Sequence, residues 1–112
     1  MKTKISSILL LFVGLSLQAQ EVFISNGAEW KYLDDGSDQG INWVLPSYND
    51  DGWKTGKAEL GYGDGGELTT LWYGGDAYNK YPTSYFRKQF NVDDPDQIEE
   101  LALGVMRDDG VV

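Results

Sequence analysis

Thr83-Ser-Tyr-Phe-Arg-Lys-Gln-Phe-Asn-Val92 is the stretch on which the fold turns. Phe86, Phe90 and Val92 fall on one face together with the stem of Lys88, while Tyr85, Arg87, Gln89 and Asn91 fall on the other. Period-two alternation over ten residues, rich in aromatics, is the signature of a half-buried strand. Asp93-Asp-Pro-Asp96 ends it, because Pro cannot donate to a ladder and Asp favours turns.

Shorter segments of the same kind lie upstream. Glu29-Trp-Lys-Tyr-Leu33 alternates, with Trp30 and Tyr32 on a single face, and reads as the first strand. Asp34-Asp-Gly-Ser-Asp-Gln-Gly40 is a polar loop, and Ile41-Asn-Trp-Val-Leu45 is a short apolar stretch ended by Pro46. Tyr48-Asn-Asp-Asp-Gly-Trp53 reads as a turn or a single helical turn that tucks two aromatics inward. Ala58-Glu-Leu-Gly-Tyr62 and Leu68-Thr-Thr-Leu-Trp-Tyr73 are further strand candidates, separated by the turn Gly63-Asp-Gly-Gly66. Gly74-Gly-Asp-Ala-Tyr-Asn79 is another loop. Beyond residue 20 there is no helical periodicity of useful length, no internal repeat and no low-complexity linker. Short strands with turns every eight to twelve residues predict an all-β domain of β-sandwich type.

The last residues alternate again: Leu101-Ala-Leu-Gly-Val-Met106 places Leu101, Leu103 and Val105 on one face. Arg107-Asp-Asp-Gly110 is turn chemistry, and Val111-Val112 begins a return strand. The sequence therefore reads as the N-terminal piece of a larger protein with further C-terminal domains. A strand at 101–106 without its return partner is expected to expose an apolar edge.

At the other end, Met1-Lys-Thr-Lys4 is basic, residues 5–17 are apolar with small polar interruptions, and Gln18-Ala19-Gln20 offers a small residue for cleavage. That order is the layout of a secretory signal peptide over residues 1–19, and the run is too short for a membrane-spanning helix. A secreted or periplasmic location follows, with residues 20–112 as the domain and no membrane insertion. The chain has no Cys, so neither a lipoprotein anchor nor a disulfide is available. Without Lys2 and Lys4 the 9 basic residues fall to 7 against 18 acidic ones. Such a balance argues against nucleic acid and anionic membranes as partners, both of which require basic surfaces.

Trp30-Lys-Tyr32, Trp43, Pro46, Tyr48-Asn-Asp-Asp-Gly-Trp53 and Leu60-Gly-Tyr-Gly63, followed by Tyr85-Phe-Arg-Lys-Gln-Phe-Asn-Val92 and Arg107-Asp-Asp-Gly-Val-Val112, carry a resemblance in their order and spacing. Over nearly all of residues 28–112 the chain resembles a secreted bacterial module with a galactose-binding-like jelly-roll fold. Such modules occur beside calcineurin-like metallophosphoesterases and secretion-sorting domains. The aromatic-Arg-Lys-x-Phe-x-Val strand is also similar to the sugar-binding domain of family 2 glycoside hydrolases. In those families the strand after Asp-Asp-Gly runs into a Tyr-x-Asn-Gly turn and several more strands. This chain stops before that turn, so the resemblance implies an incomplete jelly roll.

Catalysis has little to work with. The chain contains no His, which removes Ser-His-Asp and Cys-His chemistry and His-based metal centres. Adjacent carboxylates (Asp34-Asp35, Asp50-Asp51, Asp93-Asp94, Glu99-Glu100, Asp108-Asp109) sit in turns, where Asp is favoured for local backbone bonding, rather than facing across a sugar as a glycosidase pair must. Gly61-Tyr-Gly-Asp-Gly-Gly66 lacks the Lys-Ser/Thr ending of a phosphate loop. No catalytic residue and no cofactor is assigned.

Two binding expectations remain. Calcium takes several carboxylate and carbonyl oxygens on irregular loops, and the resembled modules often hold one. Asp34, Asp35 and Asp38 in one loop, with Asp108 and Asp109 in another, are its candidate ligands, against solvated turn carboxylates as the plainer account. Sugar binding needs exposed aromatic faces beside hydrogen-bonding groups. Trp72, Tyr73 and Tyr78 flank Gly74-Gly75 and are the candidates, whereas Trp30, Trp43, Trp53, Phe86 and Phe90 follow core patterns. The expected role is a non-catalytic accessory module that holds an exported multidomain protein to a glycan or polysaccharide. The alternative is a spacer domain of a secreted hydrolase, a metallophosphoesterase or a glycoside hydrolase, whose catalytic domain lies elsewhere.

Overall fold

The computed structural model describes residues 20–108 and 110–112. The signal peptide expected over residues 1–19 and the calcium candidate Asp109 lie outside the described residues. Among the described residues the regular elements are five strands and two short 3-10 turns, with no α-helix and no helix long and apolar enough to cross a membrane. The domain is all-β.

Strands β1 (Glu29–Leu33), β2 (Lys54–Lys57) and β5 (Tyr85–Arg87) form an antiparallel sheet in the order β2-β1-β5. A parallel pair, β3 (Leu60–Gly61) and β4 (Thr69–Thr70), forms a second small sheet. The register opposes Glu29 to Lys57, a favourable cross-strand charge pair, and Tyr32 to both Lys54 and Phe86. It also sets Lys31 directly opposite Arg87, two cations whose juxtaposition alone destabilises a ladder. Asp50 resolves that conflict. Its Oδ1 accepts from Lys31 Nζ at 2.6 Å and its Oδ2 lies 2.9 Å from Arg87 Nε. The guanidinium also donates to the carbonyls of Trp43 and Leu45, which ties the 3-10 turn Asn42–Val44 to the sheet. Around this ion cluster, Tyr85 packs between Trp43 and Trp53, with ring centroids 5.1 and 6.2 Å away, and Tyr48 meets Trp53 edge-on at 5.8 Å.

The opposite face of β1 carries Tyr32, and the β3–β4 pair lies along β2. Thr69 packs where Gly56 has no side chain: a Cβ there would fall 2.5 Å from the Thr69 methyl. The Thr69 hydroxyl donates to the Lys57 carbonyl at 2.8 Å. Backbone bonds from Leu68 and Thr69 to Glu59, and from Leu71 to Gly61, hold the two parallel strands together. Among the described residues, Tyr32, Trp53 and Leu71 are the buried apolar side chains, and Asp34 is the buried polar one.

Several expectations are met in outline. β1 has the expected bounds, and residues 48–53 form a turn that buries Trp53. Others differ. Residues 83–92 keep only three residues in the ladder, because β5 is paired on one side alone and that pairing spans only Lys31 to Leu33 of β1. The faces of β5 are also reversed: Tyr85 and Arg87 face the packed side, while Phe86 and Phe90 are exposed. Ion pairing to Asp50 pulls Arg87 inward, and the alternation of the strand then puts Phe86 on the other face, opposite Tyr32, where it stays exposed. Phe90 is covered on one side by Phe23, with ring centroids 5.4 Å apart. Within the apolar stretch 41–45, Asn42–Val44 form a 3-10 turn. Residues 101–106 are not in a ladder, and Leu103 is 77% exposed. Alternation makes that segment able to pair, but no described strand lies beside it.

Candidate functional site

The site grows from the chain that follows β4. Leu71 is buried and its N–H donates to the Gly61 carbonyl at 2.9 Å, which anchors the segment on the β3–β4 pair. The next N–H, of Trp72, donates to Asp34 Oδ2 at 2.6 Å. Asp34, only 1% exposed, holds its other oxygen against Lys54 Nζ at 2.7 Å. The carbonyl of Tyr73 in turn accepts from the N–H of Tyr81 at 2.7 Å. The backbone of residues 71–73 is thus fixed from three directions, so its side chains are set by the fold rather than by solvent.

Those side chains form a platform. The Trp72 and Tyr73 rings lie within 11° of parallel, with centroids 6.1 Å apart, and Trp72 is 54% exposed. Tyr62 joins from the loop after β3, its centroid 4.8 Å from that of Tyr73. Lys80 Nζ sits over both tyrosines, 5.1 Å from the Tyr62 centroid and 5.3 Å from that of Tyr73. A cation over two ring faces holds both rings in place and leaves its remaining N–H donors at the rim of the platform. The loop that carries Tyr62 is closed by Glu67, whose two oxygens accept the N–H groups of Asp64 at 2.7 Å and Gly65 at 2.8 Å. The Asp64 N–H, foremost among its backbone donors, holds the Glu67 carboxyl below the usual carboxylate range.

Tyr81 braces the turn that follows the platform. Its ring lies against Gly36, where a Cβ would approach within 2.7 Å, and against Gly74, where the distance would be 3.2 Å. Gly36 has φ +79, a left-handed conformation that costs an L-residue about 1–2 kcal/mol. With the ring overlap added, Gly36→Ala is expected to destabilise by about 2–3 kcal/mol. A thermal melt of the variant that overlays the parent curve would contradict this packing.

Of the sequence candidates, Trp72 and Tyr73 are brought together. Tyr78 is fully exposed on the next loop, where its N–H donates to Asp76 Oδ1 at 2.8 Å. Its ring makes none of the contacts that join Trp72, Tyr73 and Tyr62. Sequence reasoning missed Tyr62 and Lys80, although Tyr62 lies in the quoted Leu60-Gly-Tyr-Gly63. They reach Tyr73 through the two-residue parallel pairing and through the turn at residues 74–81, neither of which has a periodic signature. Two of the calcium candidates accept hydrogen bonds within the domain. Asp34 spends both oxygens on Lys54 and Trp72, and Asp38 accepts the N–H of Gly40 at 2.8 Å within its own turn. Asp108 is exposed. Among the described residues no three His, Cys, Asp or Glu side chains come together as a metal ion requires.

Compared with protein-family models, curated proteins and solved structures, the chain gives no match.

Proposed function

We propose that residues 20–112 are the N-terminal part of a galactose-binding-like β-sandwich, an accessory module of an exported multidomain protein that binds a glycan or polysaccharide without acting on it. One observation carries this reading: Trp72 and Tyr73 present near-parallel rings on a backbone held by Asp34 and Tyr81, and Trp72 is more than half exposed. An aromatic face held rigid and exposed suits the C–H face of a pyranose, which packs on it without an ordering cost. Lys80, at the rim, is placed to donate to ring hydroxyls or to a carboxylate of an acidic sugar. The jelly-roll assignment rests on the resemblance together with the all-β architecture, and export rests on the order of charge, apolar run and small residues over 1–19.

Affinity electrophoresis through gels containing neutral and uronic-acid polysaccharides tests the proposal. The chain is expected to be retarded in at least one of them, and Trp72→Ala is expected to weaken binding about tenfold, the worth of one stacked aromatic. Retardation unchanged by Trp72→Ala, or none on any polysaccharide, would refute the platform as a sugar site. The same result would leave the spacer role beside a secreted hydrolase.

A further inference from the structure

The outer edge of β5 and the alternating segment 101–106 are complementary, and we infer that they pair between two copies of this chain, each donating its segment 101–106 as a strand to the other's β5. Among the described residues nothing pairs with the outer side of β5, whose other side is bonded to β1. A groove of about 340 Å³ opens at the end of β5, between Phe86 and Arg87 of that strand, Lys88 just beyond it, Trp30 of β1, and Val44 and Pro46 on the 3-10 turn side. It is an open strand edge flanked by apolar side chains, the arrangement that accepts an added strand through main-chain bonds and alternate side chains.

The same chain carries a segment with the matching properties. Leu101, Leu103 and Val105 alternate and are at least half exposed, so they have apolar surface to lose. Charge agrees as well. Glu99, Glu100 and Asp108 bracket the segment, and the exposed Lys88 stands at the groove. Within one chain the 3-10 turn Pro95–Gln97, capped by the Asp94 side chain on Asp96 N–H at 3.1 Å, lies between the two elements, and the segment forms no ladder with β5. A second copy satisfies both at once. Each copy offers one edge and one segment, so two copies that exchange segments reciprocally satisfy both edges and close as a two-fold dimer, whereas a head-to-tail exchange would run on as a fibre.

Sedimentation of the purified chain over a concentration series is the test. The expected result is a dimer that dissociates on dilution, weakened by added salt because Lys88 and the acidic flanks contribute. Leu103→Lys with Val105→Lys should lower the association constant by about 100-fold, as loss of two central apolar anchors does. Lys88→Glu, a surface change that leaves folding intact, should lower it by about tenfold. A monomer at every concentration, or association insensitive to either substitution, overturns the inference. If the double-lysine chain fails to fold, as its circular dichroism would show, the Lys88→Glu result decides alone.

Discussion

Asp34→Ala is expected to lower the unfolding free energy by about 3 kcal/mol, the largest effect of any single carboxylate truncation in this domain. The carboxylate is 1% exposed, and each oxygen has its own donor: the Lys54 ammonium and the Trp72 amide. Truncation leaves the amide without a partner and opens a space the size of a carboxyl group. It also releases the residue from which the platform hangs, so the loss is expected in binding as well as in stability. Asp34→Asn keeps the volume and one acceptor, and should recover roughly half of the loss. The ion pair has a signature at the alkaline end. Its hydrogen bond to Asp34 raises the Lys54 pKa above the ordinary lysine value. A raised folded-state pKa gives stability that is complete below the unfolded value of about 10.4 and is lost as pH rises through the folded one. Lys54 is more than half exposed, so this contribution is small. Chemical denaturation of parent, Asp34→Ala and Asp34→Asn between neutral and alkaline pH checks all three points.

Asp50→Ala should cost nearly as much, about 2–3 kcal/mol. Asp50 is shared by Lys31 and by Arg87, whose side chain is 10% exposed, and removing it leaves two cations facing each other across a ladder. The hydrogen bond from Lys31, with help from the charges of Lys31 and Arg87, holds the Asp50 carboxyl below its ordinary value. A depressed folded-state pKa gives stability present above the unfolded value of about 3.9 and lost as pH falls through the folded one. Asp35, held down mainly by the Ser37 hydroxyl, adds to the same acid-side loss. Denaturation midpoints measured from about pH 6 to pH 2 should therefore fall steeply for the parent and less steeply for Asp50→Ala, the two curves converging at the acid end. Parallel curves would mean that Asp50 does not carry the linkage. Arg87→Met, which restores apolar packing without the charge, should destabilise less than Asp50→Ala, because it removes the repulsion together with the attraction.

Asp50 also marks the boundary of what could be read from the residues alone. Alternation identified β1 to the residue, and it placed residues 83–92 in a strand. It could not say which face of that strand turns inward, because hydropathy assigns Phe86 to the core and Arg87 to solvent. The outcome is set by a carboxylate on a turn more than thirty residues away, and no local pattern reports such a partner. The candidate site divides along the same line. Trp72 and Tyr73 were legible as aromatics next to a glycine turn, a short-range feature. Tyr62 and Lys80 were not, because a two-residue parallel pairing and a reversing loop bring them there. Asp34 looked like a calcium ligand by residue type and loop context. Its place beneath Trp72, with Lys54 on its other oxygen, gives it an internal task that residue type does not distinguish from metal binding. Residues 101–106 have the period of a strand, but a period describes one partner of a pair and a ladder needs two.

Trp72 has one consequence that is optical rather than structural. Of the four tryptophans, Trp53 is buried, Trp30 and Trp43 are half-buried, and Trp72 alone stands in solvent. A neutral quencher such as acrylamide should therefore extinguish the red edge of the intrinsic emission first, leaving a blue-shifted remainder from the other three indoles. On the proposed reading, a sugar seated on the platform would shield that one fluorophore, and protection from the quencher would then report its occupancy without a label.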